Sequence, residues 1–208
     1  AINISLDSLQ AGRFKTITRI GDLDTVLRGI DRAVECGFDR IRLNAVILDG
    51  LNRDEVVPLT HYALKKGIHI AFIEEMPLGQ VNVGGKPLAY VSSDMLQKEL
   101  AEQFSLVPMT ASDTAGPARD FLIAGSQTQV GFISPHSHNF CAQCNRLRIS
   151  AEGRLLMCLG NEESIDIRGL LRAGSTDEEI KTIIIKLYLK DQSIKKNYFY
   201  PPIHLTNE

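Results

Sequence analysis

The chain has 208 residues, 44% of them hydrophobic and 23% charged, a balance that excludes a disordered chain and points to a soluble globular protein. At this length roughly 70% of the unfolded surface should be buried on folding, so one or two domains with a real core are expected. A net charge of −2 argues against general coating of nucleic acid or an anionic membrane, so any polyanion must be met by local arginines.

No apolar run approaches the ~20 residues of a membrane span, and no basic-then-apolar leader is visible. No membrane and no nucleic-acid partner are therefore expected, and a cytoplasmic setting follows. There thiols stay reduced, so the four cysteines read as metal ligands or buried apolar residues before disulfides.

Residues 2–6 read as a strand, with Ile2, Ile4 and Leu6 facing one way and Asn3 and Ser5 the other. A chain that opens inside a strand is expected to be a fragment without its N-terminal part, and the Pro-rich, aperiodic stretch at 198–208 carries the same expectation. A helix follows: Asp22 or Asp24 caps it, Leu23, Val26, Leu27, Ile30 and Val34 recur at helical spacing, and Gly37 stops it. Cys36, beside that stop, has no partner at ligand spacing and reads as a core cysteine. A second strand covers 41–47. A second helix runs from about Asp54 to Lys66 and ends at Gly67, with Pro58 keeping its start late. A third strand covers His69–Glu74. Ser92 or Ser93 caps a helix through Phe104, short strands are expected at 121–123 and 131–133, and Thr176 with Glu179 forms a capping box for a helix near 177–190.

Strand–helix–strand–helix–strand with short connections predicts an α/β fold with a parallel sheet of crossover units. Parallel strands covered on both faces should be apolar throughout. Here Asn3, Ser5, Arg42 and Asn44 give one polar face, which suggests the inside of an open barrel holding a polar ligand. The alternative is an exposed sheet face.

Cys141-Ala142-Gln143-Cys144 is followed, after thirteen residues, by Cys158. Two cysteines at this spacing hold their sulfurs near one point, and a third returning nearby completes a soft-donor set for zinc, copper(I) or an iron–sulfur cluster. Zinc would need a fourth ligand, His136 or His138. A cluster held by three thiolates leaves one iron open. Arg146 and Arg148 lie two apart, so on a strand both guanidinium groups share a face and suit phosphate oxygens.

Phe140-Cys141-Ala142-Gln143-Cys144-Asn145-Arg146-Leu147-Arg148, with Gly153-Arg154-Leu155 and Cys158-Leu159, resembles the C-terminal signature of the GTP 3′,8-cyclase family, radical S-adenosylmethionine (SAM) enzymes of molybdenum cofactor biosynthesis. Asn3–Leu9, Arg42–Val46, Phe72–Pro77 and Gly131–Ser134 are similar to family strand motifs, and the likeness covers about residues 2–190. It implies the C-terminal half of an incomplete (β/α)6 radical SAM barrel at 1–78, followed at 79–208 by an α+β extension carrying a 4Fe–4S site and GTP. Family members cleave SAM to a radical that abstracts hydrogen from GTP, giving a 3′,8-cyclised nucleotide. The resemblance makes Cys141, Cys144 and Cys158 the cluster ligands, and Arg42, Arg146, Leu147 and Arg148 the GTP contacts. Ser5 and Met76 would touch SAM. A downstream cyclic pyranopterin monophosphate synthase would act on the product, and the protein would be a monomer or homodimer.

Three departures stand out. No Cys-x3-Cys-x2-Cys motif is present, so the SAM-cleaving 4Fe–4S cluster is expected only in a longer protein, and this chain alone is expected to be inactive. Ala71 stands where family members commonly have arginine, and no Gly-Gly tail ends the chain. Two other readings fit the cysteines: a non-enzymatic zinc module, and another radical SAM maturase with an auxiliary cluster. Glu74-Glu75 reads as an end-of-strand structural pair, and His61 and His69 carry no assigned role.

Overall fold

A computed structural model describes residues 1–76, 90–110, 116–138, 140, 147–157 and 164–189, and the backbone alone at 82–83, 86–87 and 190–197. It divides into two compact units, residues 1–139 and 140–208.

The first unit opens with β1 (Ile2–Ser5), α1 (Ala11–Thr18), α2 (Leu23–Glu35) and β2 (Ile41–Ile47). A 3-10 turn at Arg53–Glu55 leads into α3 (Val56–Lys66), then β3 (His69–Glu74), a two-residue ladder of β4 (Asn82–Val83) and β5 (Lys86–Pro87), and α4 (Ser93–Ala101). Strands β6 (Leu106–Pro108), β7 (Ala118–Ile123) and β8 (Gln129–Ile133) complete it. The six-stranded sheet has the order β1-β2-β3-β8-β7-β6. Its first four strands pair in parallel, and β7 and β6 add antiparallel. The fold is thus mixed α/β with a mostly parallel sheet.

Local chemistry explains the elements. The Asp22 side chain accepts a 2.7 Å hydrogen bond from the Thr25 N–H and starts α2. Pro58 sits in the first turn of α3, where its missing N–H costs nothing, and Gly67 closes that helix at φ 66°. Ser92 caps α4. Helix α1 was not expected from sequence: Gln10 gives it no side-chain cap, and Phe14 is its one buried residue.

The core lies between one face of the sheet and the helices, with Leu43, Ile70, Phe72, Leu59, Leu100 and Phe132 among its buried members. Two expectations need correction. Cys36 is exposed, because it follows the last buried residue of α2, Ala33, at the end of the helix. Val34 likewise points away from the core, at 37% exposure. Strands β6, β7 and β8 extend the sheet begun by β1, β2 and β3, within the unit of residues 1–139.

The second unit holds β9 (Arg148–Ile149), β10 (Arg154–Leu156), β11 (Ser164–Asp166), α5 (Ile167–Arg172) and α6 (Asp177–Asn197). The strands form an antiparallel sheet in the order β11-β10-β9. Gly153 turns the chain between β9 and β10 at φ 76°, and a Cβ there would lie 2.7 Å from Arg168 Cβ. The capping box of α6 forms: the Thr176 N–H donates to Glu179 Oε2 at 2.7 Å, and the Glu179 N–H donates to Thr176 Oγ1 at 3.3 Å. No described helix is long and apolar enough to cross a membrane.

Candidate functional site

Side chains alternate along a strand, so the register fixes which residues share a face. Asn3 pairs with Arg42 and Arg42 with His69. Ser5, Asn44, Ala71, Gly131 and Asp120 form the adjacent row, through five strands. The polar face read from Asn3, Ser5, Arg42 and Asn44 therefore exists and continues across β3, β8 and β7. Its opposite face carries Leu43, Ala45, Ile70, Phe72, Val130 and Phe132, all buried.

Arg42 lies along this polar face and donates from Nη2 to Asp120 Oδ1 at 2.7 Å. Three inter-strand gaps separate β2 from β7, roughly 14 Å on a flat sheet. The residues between are small. Ala71 and Gly131 are buried, and a Cβ on Gly131 would collide with the Asp120 carboxylate. The Arg42 side chain is 10% exposed and that of Asp120 20%. Arg40 Nη2 stands 3.8 Å from Asp120 Oδ2. Arg42 Nε and Asn44 Oδ1 are buried with no hydrogen-bond partner among the described residues. His69 Nδ1 accepts from the Gln129 N–H at 3.1 Å. Burial first, then Arg40 and Arg42, hold its imidazole below the usual range, against the opposing pull of Asp120.

The carboxyl ends of the strands are held by buried polar groups. Asn52, fully buried, accepts from the Leu48 N–H at 2.8 Å and donates to the Asp7 and Val46 carbonyls at 2.7 and 2.9 Å. Glu55, also buried, accepts from the Ser8 hydroxyl and the Leu9 N–H, both at 2.6 Å, and pairs with Arg13. These contacts tie the chain after β1 to the start of α3. At the end of β3, Glu74 accepts from the Ser93 N–H at 2.7 Å, the His136 N–H at 3.0 Å, the Ser137 N–H at 3.1 Å and the Ser137 hydroxyl. Burial pushes its carboxyl up, and these hydrogen bonds more than reverse that, leaving it below the ordinary carboxylate range.

Of the residues singled out from sequence, Ser5 is exposed at the end of β1 and Arg42 is buried on the same face. Met76 follows β3 and is 36% exposed, so it is not core filler. In the second unit Leu147 and Arg148 are exposed, and Arg148 begins β9. Cys141, Cys144, Arg146 and Cys158 lie outside the described residues. Among the described residues, no three His, Cys, Asp or Glu side chains gather as a metal site. His138 Nε2 lies 2.9 Å from Asp94 Oδ1, which also meets Arg119 at 3.2 Å.

Sequence reasoning missed Asp120, which lies 78 residues from Arg42. Its one signal was an acid within an alternating stretch at 118–123, and the strand expected there was only three residues long.

Comparison with known proteins bears on about nine-tenths of the chain. The family model described as Molybdenum Cofactor Synthesis C matches residues 68–196. A protein of Pseudomonas putida (strain W619) named GTP 3′,8-cyclase is 53% identical over 192 residues, covering 91% of this chain and 57% of that protein. Its namesake in Saccharophagus degradans is 49% identical over 185 residues, 88% of this chain and 56% of the relative. The one in Marinobacter nauticus is 48% identical over 186 residues, 89% and 56%. The chain spans a little over half the length of the curated relatives it matches.

Proposed function

The chain belongs to the Molybdenum Cofactor Synthesis C family, and from that premise we propose that it forms part of a GTP 3′,8-cyclase, a radical SAM lyase of molybdenum cofactor biosynthesis. In this reading GTP becomes (8S)-3′,8-cyclo-7,8-dihydroguanosine 5′-triphosphate, which a cyclic pyranopterin monophosphate synthase then consumes. The supporting observation is the near-50% identity to proteins of that name over about nine-tenths of the chain. The polar sheet face is the physical feature that agrees with it.

The reading gives each residue a task. Cys141, Cys144 and Cys158 hold a 4Fe–4S cluster, which suits the softness of thiolate donors. Ser5 and Met76 fit contact with SAM, because both are exposed and stand at the carboxyl ends of parallel strands, where α/β sheets bind ligands. Bound SAM, with a second 4Fe–4S cluster in the longer protein, would supply the radical that starts the rearrangement. The chain's own part is to hold GTP. Arg42, Arg146 and Arg148 offer fork-shaped donors to the triphosphate, and Leu147 contributes apolar contact between them.

The test is anaerobic reconstitution with iron and sulfide, then a spectroscopic GTP titration. About four iron and four sulfide per chain, perturbed by GTP, support the reading. Cys144→Ser should lose both metal and response. Arg148→Ala should weaken GTP binding by about 1.5–3 kcal/mol and flatten its salt dependence. One specific feature favours the zinc module as a second reading: a carboxylate, Asp94, bonds one ring nitrogen of His138, as carboxylates do for metal-ligating histidines. One tightly held zinc, no sulfide and no GTP response would select it.

A further inference from the structure

We propose that Asp120 is a built-in competitor on the polar sheet face: its carboxylate occupies the Arg42 guanidinium until a polyphosphate replaces it, and so sets how tightly that face binds a nucleoside triphosphate. This rests on the reading of Arg42 as a phosphate contact and adds a regulator to it.

The contacts of the pair differ from those of a purely structural ion pair. A guanidinium carries five donors. Among the described residues Arg42 makes one hydrogen bond, to Asp120, and its Nε is buried without a partner. Asn44 Oδ1, two residues along the same strand face, is also buried and unpartnered. A fold that needed this arginine only for stability would satisfy it, because an unmet buried donor is destabilising. A phosphate group, with several acceptor oxygens, supplies what Nε lacks and can take a guanidinium bidentately.

Asp120 is placed to yield. Its side chain is 20% exposed against 10% for Arg42, so the carboxylate is the more accessible member of the pair. Arg40, 3.8 Å from the other carboxylate oxygen and 46% exposed, can follow it outward. Glycine at 131 leaves room for the carboxylate, since a Cβ there would lie 2.4 Å from Asp120 Oδ1. Until it leaves, its charge repels the incoming anion.

The experiment is calorimetric titration of the full chain with inorganic tripolyphosphate and, separately, with GTP, at two salt concentrations. Asp120→Asn keeps an acceptor for Arg42 and removes the charge. It should bind tripolyphosphate about tenfold more tightly, with a steeper salt dependence. Asp120→Ser, the second variant, should move the same way. In the unaltered chain the Arg42 Nε–H resonance should shift on adding tripolyphosphate. Unchanged or weaker binding in the folded variants overturns the proposal, as does the absence of binding in all three proteins or a static Nε–H resonance. Tripolyphosphate tightening without any GTP binding upholds the role of Asp120 while removing the GTP reading. GTP binding indifferent to both substitutions does the reverse.

Discussion

Glu74 and Asp120 stand on opposite faces of one sheet, four strands of which are parallel. Glu74 is buried and accepts four hydrogen bonds from Ser93, His136 and Ser137. Asp120 is partly exposed and faces an arginine with one donor engaged and another idle. A saturated carboxylate holds loops in place. An unsaturated pair is tuned for exchange. The contrast separates scaffold from site without any appeal to which residues are charged, since both are.

The strongest way to break this contrast is Glu74→Ala. It leaves the N–H groups of Ser93, His136 and Ser137 without their acceptor, and the unfolding free energy of the first unit should fall by about 3–5 kcal/mol in urea titrations. A loss under 1 kcal/mol would mean that Glu74 is no clamp. Arg42→Met comes next. Asp120 keeps Arg40 nearby and some water, so stability should drop by only about 1–2 kcal/mol, while tripolyphosphate affinity collapses. A stability loss as large as that of Glu74→Ala would erase the distinction.

Glu74→Gln sharpens the comparison through pH. The folded-state carboxyl titrates lower than the unfolded one, so its stabilisation is complete above the unfolded value and disappears as pH falls through the folded value. The variant should show a shallower loss of stability on the acid side, read from thermal midpoints between neutral and acid pH. Thr176→Ala is the smallest change. It removes one cap from α6, outside both carboxylate sites, and should cost about 1 kcal/mol.

Much of the scaffold was legible because its signals are local. Asp22 before α2, Pro58 and Gly67 at the two ends of α3, and the Thr176–Glu179 pair each act within a few residues. The alternation of Asn3, Ser5, Arg42 and Asn44 likewise foretold a polar face, since period two is a property of the strand itself. Helix α1 escaped because it carries neither cap nor stripe. Asp120 escaped for a different reason. Its partner is chosen by the order β2-β3-β8-β7, and no short window of sequence contains that order.

That order also has a consequence in time. Strands β1, β2 and β3 follow one another along the chain and can pair as soon as their connecting helices form. The partner of β3 on its other side is β8, and His69 and Gln129 lie 60 residues apart. Closing so long a loop forfeits chain entropy before any contact repays it, and non-local parallel pairing is slow. Strands β6, β7 and β8 pair antiparallel with their neighbours in sequence, so they can assemble independently and dock as a body. Folding of the first unit should therefore be limited by the β3–β8 junction. The Arg42–Asp120 bridge, which spans that junction, would be among the last contacts made and the first lost when the unit opens.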